Sequence, residues 1–421
     1  MTCNWYIESP ISYFRIFPIY REKEIGHMKI TKVEVLRVKT NRPSWRPVFC
    51  RIHTDEGIYG DGEAAMAYDT GAPAAYAMIK DLAPTLIGKD PLQIEWIWET
   101  FFRTTFWGLN AGPVMYSAIS AIDIALWDIK GKAYGRPLHE ILGGARRKDV
   151  RTYASQLQFG WSHSDLHVRQ LKPEEYANVA KKAVFEEGYD AVKYDFFSFD
   201  EEGNTITVEE YTRLLLPKYQ KMIERRVEAV RKAIGDDVDI IAECHCRLDA
   251  QSAVQVAKIM EKYGILYFEE PTIPAPEQMK YVSDRTTVPL AGGERIYTRW
   301  QFRPYFENGS VQVIQPDIGN CGGLTEVRKI CDMAHAYDIS VQPHICASPL
   351  STSLALHLEA VIPNFIIHEH HCNNLMKFNQ GLTKYNPQPV NGRFEVPNEP
   401  GIGNEISDAA FENASEYAVI E

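Results

Sequence analysis

Residues 239–294 read DIIAECHCRLDAQSAVQVAKIMEKYGILYFEEPTIPAPEQMKYVSDRTTVPLAGGE, and three glutamates close successive apolar runs within them. Glu243, Glu269 and Glu294 lie 26 and 25 residues apart, close to one strand-plus-helix repeat of a (β/α)8 barrel. The beat continues through Asp317 in VQVIQPD, His344 in ISVQPH and Glu369 in NFIIHEH, with steps of 23, 27 and 25 residues. A barrel closes such a beat into a ring. Each strand then ends at the same rim, and polar side chains far apart in sequence converge on one pocket.

Three carboxylates crowded into a partly buried mouth raise one another's pKa unless a cation neutralises them. Oxygen-only donors favour a hard ion, so Mg2+ is expected ahead of zinc. Any one of these residues alone would read as an ordinary carboxylate at a solvated strand end. Three in register, each ending an apolar run, point to a metal centre.

At 421 residues the chain exceeds a bare barrel of roughly 250 and leaves room for a smaller second domain. Hydrophobic residues are 45% and charged residues 24% of the whole, the composition of a folded globular protein. A formal net charge of −11, with no Lys/Arg-rich run, argues against a protein that works by neutralising nucleic-acid phosphates. Eight cysteines without paired spacing read as reduced thiols in a cytoplasmic protein. The one tight pair, Cys244 and Cys246, flanks His245, and alternation would turn both away from Glu243 and His245. No apolar stretch approaches the ~20 residues of a membrane span. Residues 1–27 lack the basic and apolar regions of a signal peptide and read as an extension ahead of the strand-like MKITKVEVLRV.

Residues 28–148 read as an α+β module: a strand pair over 29–38 and 48–54, closed by the Gly-rich turn DEGIYGDGEA, then helical segments ending in PVMYSAISAIDIALWDIKGKAYG. From 149 to 376 eight apolar strand-like runs alternate with amphipathic helices, the pattern of a parallel barrel. Residues 377–421 carry a Pro/Asn/Gly-rich stretch in place of a regular eighth helix, so the chain is expected to return to the first module.

The pieces GIYGDGEA, SAISAIDIALWDIKGKAYGRPLHEILGG, FEEPT, GGE, PDIGNCGG and PNEPGIG together resemble the enolase superfamily. The likeness is to its mandelate racemase-type acid-sugar dehydratases, such as galactonate or gluconate dehydratase, and spans nearly the whole chain from Met28. It implies an N-terminal α+β capping domain over a (β/α)7β TIM-like barrel, Mg2+ on Glu243, Glu269 and Glu294, and a homo-oligomer. Glu243 stands where the family commonly has Asp, one methylene shorter.

Removing a proton next to a carboxylate builds an enediolate, whose charge a chelating metal stabilises. Enzymes of this superfamily pair a Lys or His base with Mg2+ to hold that charge. His344 is the expected base, with Asp317 oriented to accept from its other ring nitrogen, as the resemblance also implies. His245, two residues beyond Glu243, would protonate a departing hydroxyl; the alternative is a partner that only orients Glu243. Lys193 would offset substrate charge, a plain salt bridge to Asp195 being the alternative. The family's racemases carry Lys-x-Lys here, and Asp195 in the second place argues against them. Glu369 matches the family acid that hydrogen-bonds the substrate carboxylate. Asp195, Arg46, Trp107 and His371 are the expected substrate contacts, with Arg42 and Trp45 as neighbours in the same loop; His368 and His370 should face away from Glu369. The expected reaction is Mg2+-dependent dehydration of an aldonate such as galactonate, gluconate or arabinonate to a 2-keto-3-deoxy acid. The alternatives are a racemase or epimerase of a 2-hydroxy acid, and a non-catalytic regulatory relative.

Overall fold

The computed structural model describes residues 28–68, 70–162 and 167–421. The extension expected over 1–27 lies outside the described residues. The chain forms β1 (Ile30–Val38), β2 (Val48–Thr54) and β3 (Tyr59–Ala64), then β4 (Asp149–Ser155), β5 (Ala191–Asp195), β6 (Asp239–Glu243) and β7 (Ile265–Glu269). It continues with β8 (Leu290–Gly292), β9 (Val313–Ile314), β10 (Ser340–Val341), β11 (His368–His371), β12 (Arg393–Glu395) and β13 (Ala414–Ile420).

The first three strands form an antiparallel sheet with β13 added beside β1, in the order β13-β1-β2-β3. The tail therefore returns to the N-terminal module. β3 is the stretch YGDGEA, which the sequence presents as a turn. Its glycines serve a different need. A Cβ on Gly60 would stand 2.1 Å from Ala125 O, and one on Gly62 would stand 1.9 Å from Ala121 O. The helix Pro113–Tyr134, rich in alanine and serine, lies directly on this strand, and only glycine permits that approach.

Strands β4 to β11 form a parallel sheet in the order β10-β9-β8-β7-β6-β5-β4-β11. Val341 N–H donates to Asn364 O and Ile366 N–H to Val341 O, so β10 is joined to the segment entering β11 and the sheet curls into a barrel. Inside, Tyr153, Ile241, Tyr267, Ala291, Val313 and Ile367 pack into one buried cluster. Register sets Asp195 opposite Glu243 and Glu243 opposite Glu269, so the acidic side chains share one level at the C-terminal rim.

The later strands are shorter than their apolar runs. Glu294, Asp317 and His344 lie on the loops after β8, β9 and β10, whereas Glu243 and Glu269 are final strand residues. Pro316 and Pro343 immediately precede Asp317 and His344; lacking an N–H, they end the ladder there.

The cap is seated on the barrel by buried polar contacts. Glu63 accepts from Ser348 N and from the Ser348 and Ser351 hydroxyls. Asp123 accepts from Thr325 N, Ser120 Oγ from Gly322 N, and Trp98 Nε1 donates to Gly322 O. No helix among the described residues is long and apolar enough to cross a membrane.

Candidate active site

The centre of the barrel mouth is a buried lysine among carboxylates. Lys193 Nζ lies 2.8 Å from Glu269 Oε1, 2.8 Å from Glu369 Oε1 and 3.3 Å from Glu243 Oε2. Its ammonium partners come from three different strands, and Asp195 pairs elsewhere. Burial alone would lower its pKa, but Glu269 and Glu369 more than offset that and keep it charged.

Glu243, Glu269 and Glu294 each bring one oxygen to within 4.8 Å of the others. Glu243 Oε1 accepts from the Cys244 and His245 amides, while Glu243 Oε2 and Glu269 Oε2 are buried without a hydrogen-bond partner among the described residues. Buried oxygens left in that state cost free energy unless a cation or water meets them. Burial and then Glu243 raise the Glu269 pKa well above the carboxylate range; burial pushes Glu243 up too, but His245 and Lys193 hold it low. Without a further cation the acidic set favours a proton on Glu269, and three hard oxygen donors suit a divalent cation such as Mg2+. Glu270, next to Glu269, turns away through a left-handed backbone (φ 44°) and shares Arg295 with Glu294. Arg295 was not singled out by its sequence; its position one residue after GGE was the only signal.

Two histidines flank this cluster. His344 Nδ1 is 2.7 Å from Asp317 Oδ2 and His344 Nε2 is 3.2 Å from Glu294 Oε2. Burial opposes its charged form, but Glu294 and Asp317 prevail and lift its pKa to about 10. His245 Nδ1 is 3.0 Å from Asp195 Oδ2. The route to that position differs from the strand alternation expected from sequence: β6 ends at Glu243, and His245 and Cys246 are both left-handed, with φ of 50° and 58°. A tight turn swings the imidazole into the mouth. In the eight-strand order β6 and β10 stand four steps apart, so the two histidines approach from opposite sides.

Glu369 is fixed by three donors besides its own strand: Lys193, Ser155 Oγ at 2.7 Å and Ile345 N at 3.1 Å. Ser155, missed by sequence reasoning, is the last residue of β4 and pairs in register with His371. His371 Nδ1 accepts from Asn373 N, and burial lowers its pKa to about 3, so it is neutral. His368 bonds Glu359 and His370 bonds Tyr189 on the outer face of β11, as alternation requires.

Of the expected substrate contacts, Asp195 and His371 lie at the rim, but Asp195 is engaged by His245 and Arg247. Arg46 turns back to Pro43 O, and Trp107 is 77% exposed and packs edge-on against Phe106; neither is brought to the carboxylate cluster. Trp45 is buried and bonds Asn379. Arg42 instead reaches toward the end of β11, donating to Asn373 Oδ1 at 3.0 Å and lying 3.2 Å from His167 Nε2. Tyr68 OH accepts from Asn373 Nδ2 and lies 3.5 Å from Cys346 Sγ, two residues beyond His344.

Residues 31–143 match the family described as the mandelate racemase / muconate lactonizing enzyme N-terminal domain, and residues 175–410 match the enolase C-terminal domain-like family. The chain belongs to the enolase superfamily. A crystal structure of an enolase-superfamily member from Salmonella Typhimurium is 49% identical, covering 94% of this chain and all of the other, with a TM-score of 0.91. A structure from Zymomonas mobilis ZM4, provisionally assigned as a dehydratase, is 47% identical with a TM-score of 0.90, covering 94% of this chain and 100% of that one. D-galactonate dehydratase of Pectobacterium atrosepticum is 33% identical over 394 residues, 90% of this chain and 93% of that enzyme. Relatives named as dehydratases thus share its superfamily and nearly its whole length.

Proposed function

We propose that this protein is a dehydratase that converts a sugar acid, an aldonate such as galactonate, gluconate or arabinonate, to its 2-keto-3-deoxy acid, with Mg2+ held by Glu243, Glu269 and Glu294. The observation that carries the reading is the Asp317–His344 pair at 2.7 Å beside the three-glutamate cluster, with His245 on the opposite side of the mouth. The 33% identity to a galactonate dehydratase supports the substrate class.

The residues divide the chemistry between them. His344 takes the C2 proton of the substrate, and Asp317 fixes its ring and stabilises the imidazolium that forms. Bound at the glutamates, Mg2+ would supply positive charge where negative charge develops on the substrate carboxylate, and would relieve the carboxylate field that otherwise keeps His344 charged. Lys193, itself buried, adds a second fixed cation. Glu369, held by Ser155 and Ile345 N, is placed to meet the substrate carboxylate edge. His245 protonates the C3 hydroxyl as it leaves, and the enol so formed ketonises.

Incubation with Mg2+ and a panel of aldonates, scored for 2-keto-3-deoxy acid as its semicarbazone, tests this. A single strong substrate supports the reading; a panel without product sinks it. Two histidines on opposite sides would also serve a racemase, which would place solvent deuterium at C2 of the recovered acid without forming any keto acid.

A further inference from the structure

Asp195 ends β5 at the level of the metal-site glutamates, where a carboxylate could face substrate directly. Its oxygens are already committed. Oδ2 lies 3.0 Å from His245 Nδ1 and 2.8 Å from Arg247 Nη1, and Oδ1 accepts from Phe197 N at 2.8 Å. Its own amide donates to Gln158 Oε1, and Arg247 Nη1 reaches Ser198 Oγ at 3.3 Å. The carboxylate is fully buried, whereas the His245 side chain is 27% exposed toward the mouth.

The turn after β6 delivers both partners to Asp195. Two consecutive left-handed residues, His245 and Cys246, are stabilised by Cys246 N donating to Glu270 O and Arg247 N to Cys244 O. Non-glycine residues adopt that backbone at a cost, and here the turn brings an imidazole and a guanidinium onto one carboxylate oxygen. With Nδ1 tied to Asp195, the ring presents Nε2, which has no hydrogen-bond partner among the described residues. The mouth thus carries two Asp–His pairs, Asp195–His245 from β5 and β6 and Asp317–His344 from β9 and β10, each strand four steps from its counterpart.

We infer that Asp195, braced by Arg247, is a positioning residue that holds the His245 Nδ1–H and so aims the Nε2–H of the imidazolium at the leaving C3 hydroxyl, committing the intermediate to elimination. This rests on the dehydration proposed above. In the committed step the electron pair left at C2 forms the C2=C3 bond and the C3–O bond breaks. The departing oxygen keeps that bonding pair and takes the His245 Nε2 proton to leave as water. Without a fixed donor, the intermediate's remaining course is return of a proton to C2 from His344.

The test follows both fates in D2O, using the full chain, Mg2+ and the aldonate that the wild type dehydrates. Asp195→Asn is expected to lower keto-acid formation about a hundredfold while deuterium enters C2 of recovered substrate faster than with the wild type. Arg247→Met should show the same split to a smaller degree, and His245→Asn should match Asp195→Asn. Unchanged elimination in Asp195→Asn overturns the inference. So does an equal fall in exchange and elimination accompanied by weaker Mg2+ binding, because that marks a purely structural role. If the wild type dehydrates no aldonate, the proposed function fails, and the positioning claim is judged separately by 15N NMR of labelled histidine. A change of His245 Nδ1 protonation in Asp195→Asn supports it, and an unchanged spectrum overturns it.

Discussion

Lys193 Nζ lies 2.8 Å from Glu269 Oε1, with both side chains 1% exposed. The lysine is a buried cation shared by Glu243, Glu269 and Glu369, so its removal leaves buried carboxylates uncompensated. Breaking a buried ion pair from one side typically costs about 3–5 kcal/mol. Lys193→Met is therefore expected to lower the melting temperature of metal-free protein strongly and that of Mg2+-saturated protein less, read by thermal denaturation with and without the ion. Equal losses in both conditions would contradict a shared electrostatic role.

His344 touches Asp317 through one ring nitrogen and Glu294 through the other. Asparagine keeps some polar contact but cannot take a proton. His344→Asn is expected to reduce both C2 exchange and keto-acid formation by about 100- to 10,000-fold while Mg2+ affinity, measured by calorimetry, stays within a few fold of wild type. Retained turnover would remove His344 as the base.

Asp123 sits at the seam between cap and barrel, accepting from Thr325 N, with Oδ1 lacking a hydrogen-bond partner among the described residues. Burial raises its pKa from 3.8 to about 7, against the opposing hydrogen bonds from Thr325. The folded state then binds more protons than the unfolded state between about 3.8 and 7. Its stabilising contribution is full below the unfolded pKa and is lost as pH rises through about 7. The melting temperature of Asp123→Asn minus that of wild type should therefore increase from pH 5 to pH 8. A difference independent of pH would show that Asp123 does not titrate in this way.

Gly62 lies on β3 beneath the helix Pro113–Tyr134, where an added Cβ would stand 1.9 Å from Ala121 O. Because the obstacle is helix backbone, Gly62→Ala must separate strand from helix. Overpacking of this kind costs typically about 1–3 kcal/mol or more. Gly57, whose Cβ would meet nothing within 4 Å but whose φ is 77°, offers a control for backbone strain alone. Denaturant midpoints should fall further for Gly62→Ala than for Gly57→Ala.

Arg42 and Arg46 stand four residues apart in one cap loop and face different surroundings. Arg42 reaches Asn373 and His167 above the end of β11, and Arg46 turns back to Pro43 O. Arg42→Met is expected to raise KM about tenfold with a smaller change in kcat, consistent with loss of binding common to ground and transition states. Arg46→Met should leave both constants within about twofold. Equal kinetic effects of the two substitutions would refute the distinction.

The eight barrel strands, the return of the tail and the level of the glutamates were legible because each depends on local regularity. An apolar run of about five residues followed by a carboxylate, recurring every 25 or so positions, has few other ways to bury its side chains. The resemblance carried by FEEPT, GGE and PDIGNCGG pointed to the same assignment. Local reading failed where the backbone leaves regular geometry or where a distant element imposes the conformation. YGDGEA looked like a turn because glycine is common in turns, yet here it is a strand lying under a helix that arrives about fifty residues later.

The sequence alone set Glu243, Glu269, Glu294, Asp317, His344 and Glu369 on one rim through their period, with Lys193 added from its place on the second strand beside the family's Lys-x-Lys position. Only the tertiary structure decided which partner each one takes. Asp195 was free by alternation to face substrate or Lys193, and it faces His245 and Arg247 because two left-handed residues after β6 turn those side chains onto it. Period-two alternation specifies direction within a strand and lapses once the ladder stops. Beyond that point the direction of a side chain depends on loop dihedrals and on charges supplied from other strands, which a linear pattern does not encode.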